Sequence, residues 1–332
     1  MRRFWLPALV LGVSVSVVLL AVGVVHFTSL NPSHPAVAAG STVVSRLKSA
    51  VGQPLSSGKA RAAEGTPVPQ AYVEHRTDMT VYHNLVYGHV GDQDLLLDAY
   101  VPNGGPHPAV VVIHGGGWAH GSKDELNFEG EGLAMAGYSA FVVNYRMAPP
   151  SGDWHAPIAL EDVRSAVLWV RQNAAAYNAD PNRVGALGNS AGGNLAMMLG
   201  TTGTPGGDRV EAVVSFSGQS NLMTLSTEHT INAATNYIGC SSKECPNDWI
   251  ANSPIDHCDH STAPMLIVNS THELMPLDQA TEMAAKLADV GVPHELRILN
   301  GDKHASAFAG QVWTQTLTFF QHYLSRSVAG TS

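Results

Sequence analysis

Cysteine is scarce in this chain of 332 residues, with three in all, every one between positions 240 and 258. None lies near the N-terminus, so a lipoprotein anchor has no acceptor. Cys240 and Cys245 are close enough to close a small loop by a disulfide, which leaves Cys258 single. Asp256-His257-Cys258-Asp259-His260 offers ligand-type side chains, but on one short loop with no matching second set, so neither a metal nor another cofactor is expected. Basic residues are also few, 18 Lys and Arg against 27 Asp and Glu, for a net charge of -9. They are scattered and form no cluster interleaved with aromatics, which argues against nucleic acid as a partner. The mild acidity bears on solubility and says little about substrate. No internal repeat is visible.

What is present begins with an apolar N-terminal segment. Arg2 and Arg3 precede an uncharged, mostly apolar run over residues 4–27. A helix of that length would be about 36 Å long and could cross a hydrocarbon core. Charges before the run and none soon after it orient the N-terminus inside and the bulk of the chain outside. A cleavable signal peptide is the rival reading, since Ala36-Val37-Ala38 has the small-residue pattern a signal peptidase accepts. That pattern lies well beyond the apolar run, which favours an uncleaved anchor. Both readings export the protein, and the cysteine pair suits an oxidising compartment. Residues 1–30 are thus expected to be a signal peptide or membrane anchor, and residues 31–70, rich in Pro, Ser, Ala and Gly, a linker or arm. A regular domain should follow over 71–328. The 45% hydrophobic content is ample for a large core.

Two extended segments, 80–89 and 93–101, read as a hairpin about Val90-Gly91-Asp92. Ala109-Val110-Val111-Val112-Ile113 is a continuous apolar run, β-branched from Val110 onward, the pattern of a strand covered on both faces. Further strands are expected over 138–144, before Ser190, and over 210–217, 265–269 and 294–299. Helices are expected over 126–136, 156–177, 277–290 and 310–325. Alternating strands and helices imply an α/β fold with a mostly parallel central sheet, helices on both faces, and a site beyond the carboxyl ends of the strands.

Gly188-Asn189-Ser190-Ala191-Gly192 lies between one such strand and a helix-forming run. Strand, tight turn and helix are the setting in which a G-x-S-x-G pattern presents a serine nucleophile. The flanking glycines would admit a close approach that side chains would block. His114-Gly115-Gly116-Gly117-Trp118 begins where the 109–113 strand stops, and its glycines free backbone N–H groups of the kind an oxyanion needs.

These segments, with Asn144-Tyr145-Arg146-Met147-Ala148-Pro149, Ala159-Leu160-Glu161-Asp162-Val163 and Asp180-Pro181-Asn182-Arg183, occur in order. Together they resemble the hormone-sensitive-lipase-like branch of the α/β-hydrolase superfamily, the bacterial carboxylesterase group. The resemblance spans about residues 75–325. It implies hydrolysis of a small-molecule ester, with an oxyanion hole at Gly116, Gly117 and Ala191. It puts the catalytic histidine in the loop after the last strand, at His304, and gives His114 the task of positioning the glycine loop. His120, His294 and His322 are expected on the surface or in packing.

The acid should follow the 265–269 strand, in Ser270-Thr271-His272-Glu273-Leu274-Met275-Pro276. Counting back from Pro276 puts His272 where the family has Asp, and a histidine cannot supply the carboxylate an imidazolium needs. Glu273 can, if the turn shifts by one residue; Asp278 is the reserve. Asn189 also departs from the Asp common among relatives. The long excursion over 219–252, with Met223, Leu225, Tyr237, Ile238 and Trp249, is expected to wall an acyl pocket with Trp118, or else to form a surface loop. A serine peptidase or amidase would use the same residues. The odd acid loop also leaves a surface-tethered binding protein in contention.

Overall fold

The computed structural model describes residues 70–150, 152 and 154–325. The segment expected at 1–30, and all but the last residue of the arm expected at 31–70, lie outside them. Among the described residues, no helix is long and apolar enough to cross a membrane.

The strands are β1 (Tyr72–His75), β2 (Met79–Val90), β3 (Gln93–Pro102), β4 (His107–Ile113), β5 (Ser139–Val143), β6 (Ala179–Asn189), β7 (Ala212–Phe216), β8 (Met265–Ser270) and β9 (His294–Leu299). They form one sheet in the order β1-β2-β3-β5-β4-β6-β7-β8-β9. β1, β2, β3 and β5 pair antiparallel, and every pair from β5 through β4 to β9 is parallel. The helices are α1 (Asn127–Met135), α2 (Ile158–Asn173), α3 (Ala191–Thr201), α4 (Glu228–Ile238), α5 (Pro246–Ala251), α6 (Leu277–Asp289) and α7 (Ala309–Leu324).

The β-branched run of β4 explains how the sheet is covered. Successive strand side chains point to opposite faces. Ala109, Val111 and Ile113 accordingly join one apolar cluster, with Val163 and Val167 of α2, Leu195 of α3 and Met283 and Leu287 of α6. Val110 and Val112 join the other, with Leu133 of α1 and Val312, Phe319 and Phe320 of α7. The residues of β4 from Ala109 to Ile113 are therefore all apolar, because neither face of the sheet meets water there.

The hairpin closes as the sequence suggests, with Val90 paired to Gln93 and Gly91 at φ +57° in the turn. The helix expected over 156–177 ends at Asn173 and tightens into a 3-10 turn at Ala174–Tyr177. β1 was not anticipated; it is an exposed edge strand.

A buried ion pair fixes the turn that leads into α1. Asp98 of β3 accepts from Asn84 N at 2.8 Å and from Lys123 Nζ at 2.9 Å, while Asn144 Oδ1, just past β5, accepts from Lys123 N at 2.7 Å. Burial disfavours the Lys123 ammonium, but Asp124 and Asp98 outweigh it and hold the group above its ordinary range. The turn therefore cannot drift without unpairing a buried charge. The carboxyl ends of β4, β6, β7, β8 and β9 all open toward one edge, and the segments leaving them carry His114, Ser190, Ser217, Glu273 and His304.

Candidate active site

Ser190 joins β6 to α3 at φ +54° and ψ -117°, a conformation that side-chain-bearing residues rarely adopt. Its N–H donates to Phe216 O at 2.8 Å, and its carbonyl accepts from Asn194 N at 3.1 Å. The flanking glycines are required by contact. A Cβ on Gly188 would stand 2.0 Å from Gly192 O, and one on Gly192 would stand 2.2 Å from Ile113 O. The turn is thus pressed against α3 on one side and β4 on the other.

His114 anchors the glycine loop. It is fully buried, its Nδ1 lies 2.7 Å from Gly115 O, and its ring stacks on Tyr145 at 4.3 Å. Since a carbonyl only accepts, Nδ1 carries the proton. Tyr145 in turn donates its hydroxyl to His114 O at 3.1 Å. Burial pulls the His114 imidazole down to about 4, so it is neutral at physiological pH. Among the described residues, the N–H groups of Gly116 and Gly117 have no hydrogen-bond partner. Both glycines line the cavity that Ser190 faces. Ala191 opens α3, where N–H groups lack intrahelical acceptors.

Glu273 sits in the turn after β8 with its side chain fully buried. Oε2 pairs with Nδ1 of His304. Oε1 accepts from Ser270 N at 2.6 Å and from Ser217 Oγ at 2.9 Å. The Ser217 hydroxyl also accepts from Ala305 N at 2.9 Å, which ties the carboxylate to the backbone just after His304. Ser270 Oγ holds Lys303 O at 2.7 Å on the other side. Asp278, the reserve, is exposed in the first turn of α6. His272 is also exposed, with Nδ1 2.8 Å from Thr271 Oγ1. Of these three side chains, Glu273 is the one that the structure brings to His304.

Ser190 and His304 line one cavity of about 510 Å³. Ser190 Oγ has no hydrogen bond among the described residues, and such contacts commonly tighten only when substrate arrives. Further walls come from Glu125 and Leu126 before α1, Leu274 and Met275 after Glu273, and the cavity face of α4.

Two expectations change. Trp118 does not reach the cavity. It is fully buried at φ +58°, stacked on Tyr237 at 4.5 Å, and it braces the core behind the glycine loop. The 219–252 excursion does wall the cavity, but through Gln219, His229, Thr230, Asn232, Ala233 and Asn236. Its Leu225, Tyr237, Ile238 and Trp249 are buried in the core, and Met223 is exposed. Amphipathic packing turns the apolar side of α4 inward and leaves its polar side to the cavity. His120, expected in packing or on the surface, is exposed and lines the same cavity. Cys240 and Cys245 form the disulfide, and Trp249 Nε1 donates to Cys240 O at 2.9 Å. Cys258 is buried and free.

Sequence reasoning missed Ser217 and Gln219. The local pattern marks Ser217 only as the end of a strand. Gln219 is 3% exposed, lines the cavity and leaves Oε1 unpartnered.

Comparison with known proteins agrees with this architecture. The BD-FAE family model matches residues 97–287. The chain is 27% identical over 201 residues to esterase LipC of Mycobacterium tuberculosis, covering 56% of this chain and 49% of that protein. It is 41% identical over 95 residues to bovine (Bos taurus) arylacetamide deacetylase, covering 27% of this chain and 23% of the relative. The chain thus spans less than half the length of these curated relatives. A thermophilic esterase from Thermogutta terrifontis superposes with a TM-score of 0.62 at 23% identity, covering 81% of this chain and 98% of that one. A truncated carbohydrate esterase from gut microbiota superposes with a TM-score of 0.64 at 22% identity, covering 75% and 98%. With more than half of its length matched by that family, the chain belongs to the BD-FAE family and carries the α/β-hydrolase fold.

Proposed function

We propose that the protein hydrolyses carboxylic esters through an acyl-enzyme formed on Ser190. One observation carries the reading: a fully buried Glu273 carboxylate pairs with His304 Nδ1, on the cavity that the strained Ser190 also faces. A serine hydroxyl is a poor nucleophile until a base takes its proton. His304 takes it as Ser190 Oγ attacks the ester carbonyl, and Glu273 orients the imidazole and stabilises the imidazolium. The oxyanion rests on the N–H groups of Gly116, Gly117 and Ala191. His304 then protonates the departing alcohol. Water, deprotonated by the same histidine, attacks the acyl-enzyme, and Ser190 recovers its proton as the acid leaves.

A cavity of about 510 Å³ has to hold both halves of the ester, which supports short to medium acyl chains. The esterase names of several relatives support the reaction class. An amide is the second reading, because the bovine relative is named arylacetamide deacetylase. A matched aryl ester and aryl anilide separate the two. Ser190→Ala should abolish turnover of a short aryl ester, and undiminished turnover would overturn the proposal.

The enzyme acts outside the cytoplasm, led or held there by the apolar run at residues 4–27. The Cys240–Cys245 disulfide supports an oxidising compartment. Protease added to intact cells should remove the activity of an anchored form, whereas a secreted form is recovered in the medium. Activity retained inside protease-resistant cells would contradict export.

A further inference from the structure

Asn189, the residue ahead of the nucleophile, is paired with a buried acid, Glu129. Glu129 lies on α1 and is 1% exposed; Asn189 is 3% exposed. Asn189 Nδ2 donates to Glu129 Oε1 at 3.1 Å, and no salt bridge joins Glu129 to any described residue. An Asp at 189 would set two carboxyl groups against each other in a dry interior.

The other end of the same carboxamide is incomplete. Asn189 Oδ1 is sealed from solvent and has no donor among the described groups. A buried acceptor left so is costly. An ionised Glu129 has only acceptors to offer it, whereas a protonated Glu129 has one O–H donor. Burial also raises the Glu129 carboxyl, opposed only by Asn189 and by its own backbone N–H. The neighbouring elements bring other ionisable groups: Asp98 and Tyr100 on β3, Lys123, Asp124 and Glu125 in the turn before α1, Glu131 on α1, and His114 after β4. None of them is among the causes of that shift, and β5 contributes no ionisable group.

Asn189 is well placed for leverage on the site. It ends β6, directly before Ser190, and it lines the cavity. A Cβ on Gly115 would stand 2.8 Å from Asn189 O, so its peptide also abuts the glycine loop. A shift of Asn189 would therefore move the nucleophile and the oxyanion loop together.

We propose that Glu129 is a positioning residue that keeps its proton at working pH and closes a two-bond acid–amide pair with Asn189. In this pair the carboxyl O–H donates to Oδ1, Nδ2 donates to Oε1, and no proton leaves the pair during the reaction. The positioning role rests on Ser190 being the nucleophile. The protonation state does not, so it is read first on the resting protein.

Differential scanning calorimetry of the wild type and Glu129→Gln between pH 4.5 and pH 8.5 gives that reading. A raised folded-state pKa favours the protonated form, so wild-type stability carries a cost that grows as pH rises above the ordinary Glu value of about 4.3. Gln keeps a donor and an acceptor but does not titrate. The Tm difference, Glu129→Gln minus wild type, should rise by several degrees from the acid to the alkaline end. A flat difference would overturn the claim that Glu129 is protonated.

The kinetic arm uses Asn189→Asp alone and with Glu129→Gln. The single variant should show a kcat that falls at least tenfold as pH rises, with little change in KM and no counterpart in the wild type. Glu129→Gln in the same chain should restore kcat, because Gln donates to Asp. A wild-type pH profile in the single variant, or no rescue in the double variant, would overturn the positioning role. An inactive wild type would count against the serine mechanism and leave the calorimetric result standing.

Discussion

Ser217 and Glu273 meet through a single hydroxyl: Ser217 Oγ donates to Glu273 Oε1 at 2.9 Å while accepting from Ala305 N at 2.9 Å. Ser217 and Ala305 both sit at positive φ, +53° and +49°. The two strained residues and the buried carboxylate therefore support one another. Hydrogen bonds to a buried charge contribute about 1.5–3 kcal/mol. Ser217→Ala should accordingly lower kcat by about tenfold to a hundredfold and leave KM little changed. Steady-state kinetics on a short aryl ester test this; wild-type kcat would show that Ser217 does not hold the acid.

His114 gives a pH dependence with a definite sign. Its folded-state pKa is about 4, against about 6.5 unfolded, so the folded state favours the neutral ring. The stability it contributes is complete above pH 6.5 and is lost as pH falls toward about 4, some 3 kcal/mol in all. His114→Asn retains a donor for Gly115 O but does not titrate there. Its urea-unfolding free energy should decline less steeply than the wild type's over that range, and parallel declines would count against the assignment.

The cavity face of α4 makes a prediction about chain length. With Asn232 and Asn236 on that wall, kcat/KM for 4-nitrophenyl esters should peak between acetate and hexanoate. It should fall by about tenfold or more at laurate, since a long alkyl chain gains little against polar walls. Asn232→Leu should move the optimum toward longer chains. An unchanged optimum would show that α4 does not contact the acyl group.

How far these features can be read from the residues depends on what each one advertises. β4 is legible because five consecutive apolar residues, four of them β-branched, favour a short strand buried on both faces. Ser190 is legible because steric contacts at Gly188 and Gly192 tolerate nothing larger. Glu273 is less legible, because no local pattern encodes the one-residue shift of its turn. Trp118 was misplaced because a motif gives a residue's position but not its direction, and φ +58° turns the indole into the core. α4 did leave signals: Thr227 caps it by accepting from Thr230 N, and Gly239 ends it at φ +93°. Its polar face concealed it in a segment read for apolar walls. Ser217 is legible only in three dimensions, since Glu273 and Ala305 are 56 and 88 residues away in the chain.

The central claim is that Ser190 becomes acylated with help from His304 and Glu273, and covalent labelling tests it most directly. Intact-mass and peptide mass spectrometry should follow a fluorophosphonate probe on the wild type, Ser190→Ala and Glu273→Gln. The wild type should gain one adduct, located on Ser190, Glu273→Gln should gain it at least tenfold more slowly, and Ser190→Ala should gain none. An adduct at another residue, or labelling of Ser190→Ala at the wild-type rate, would contradict the account.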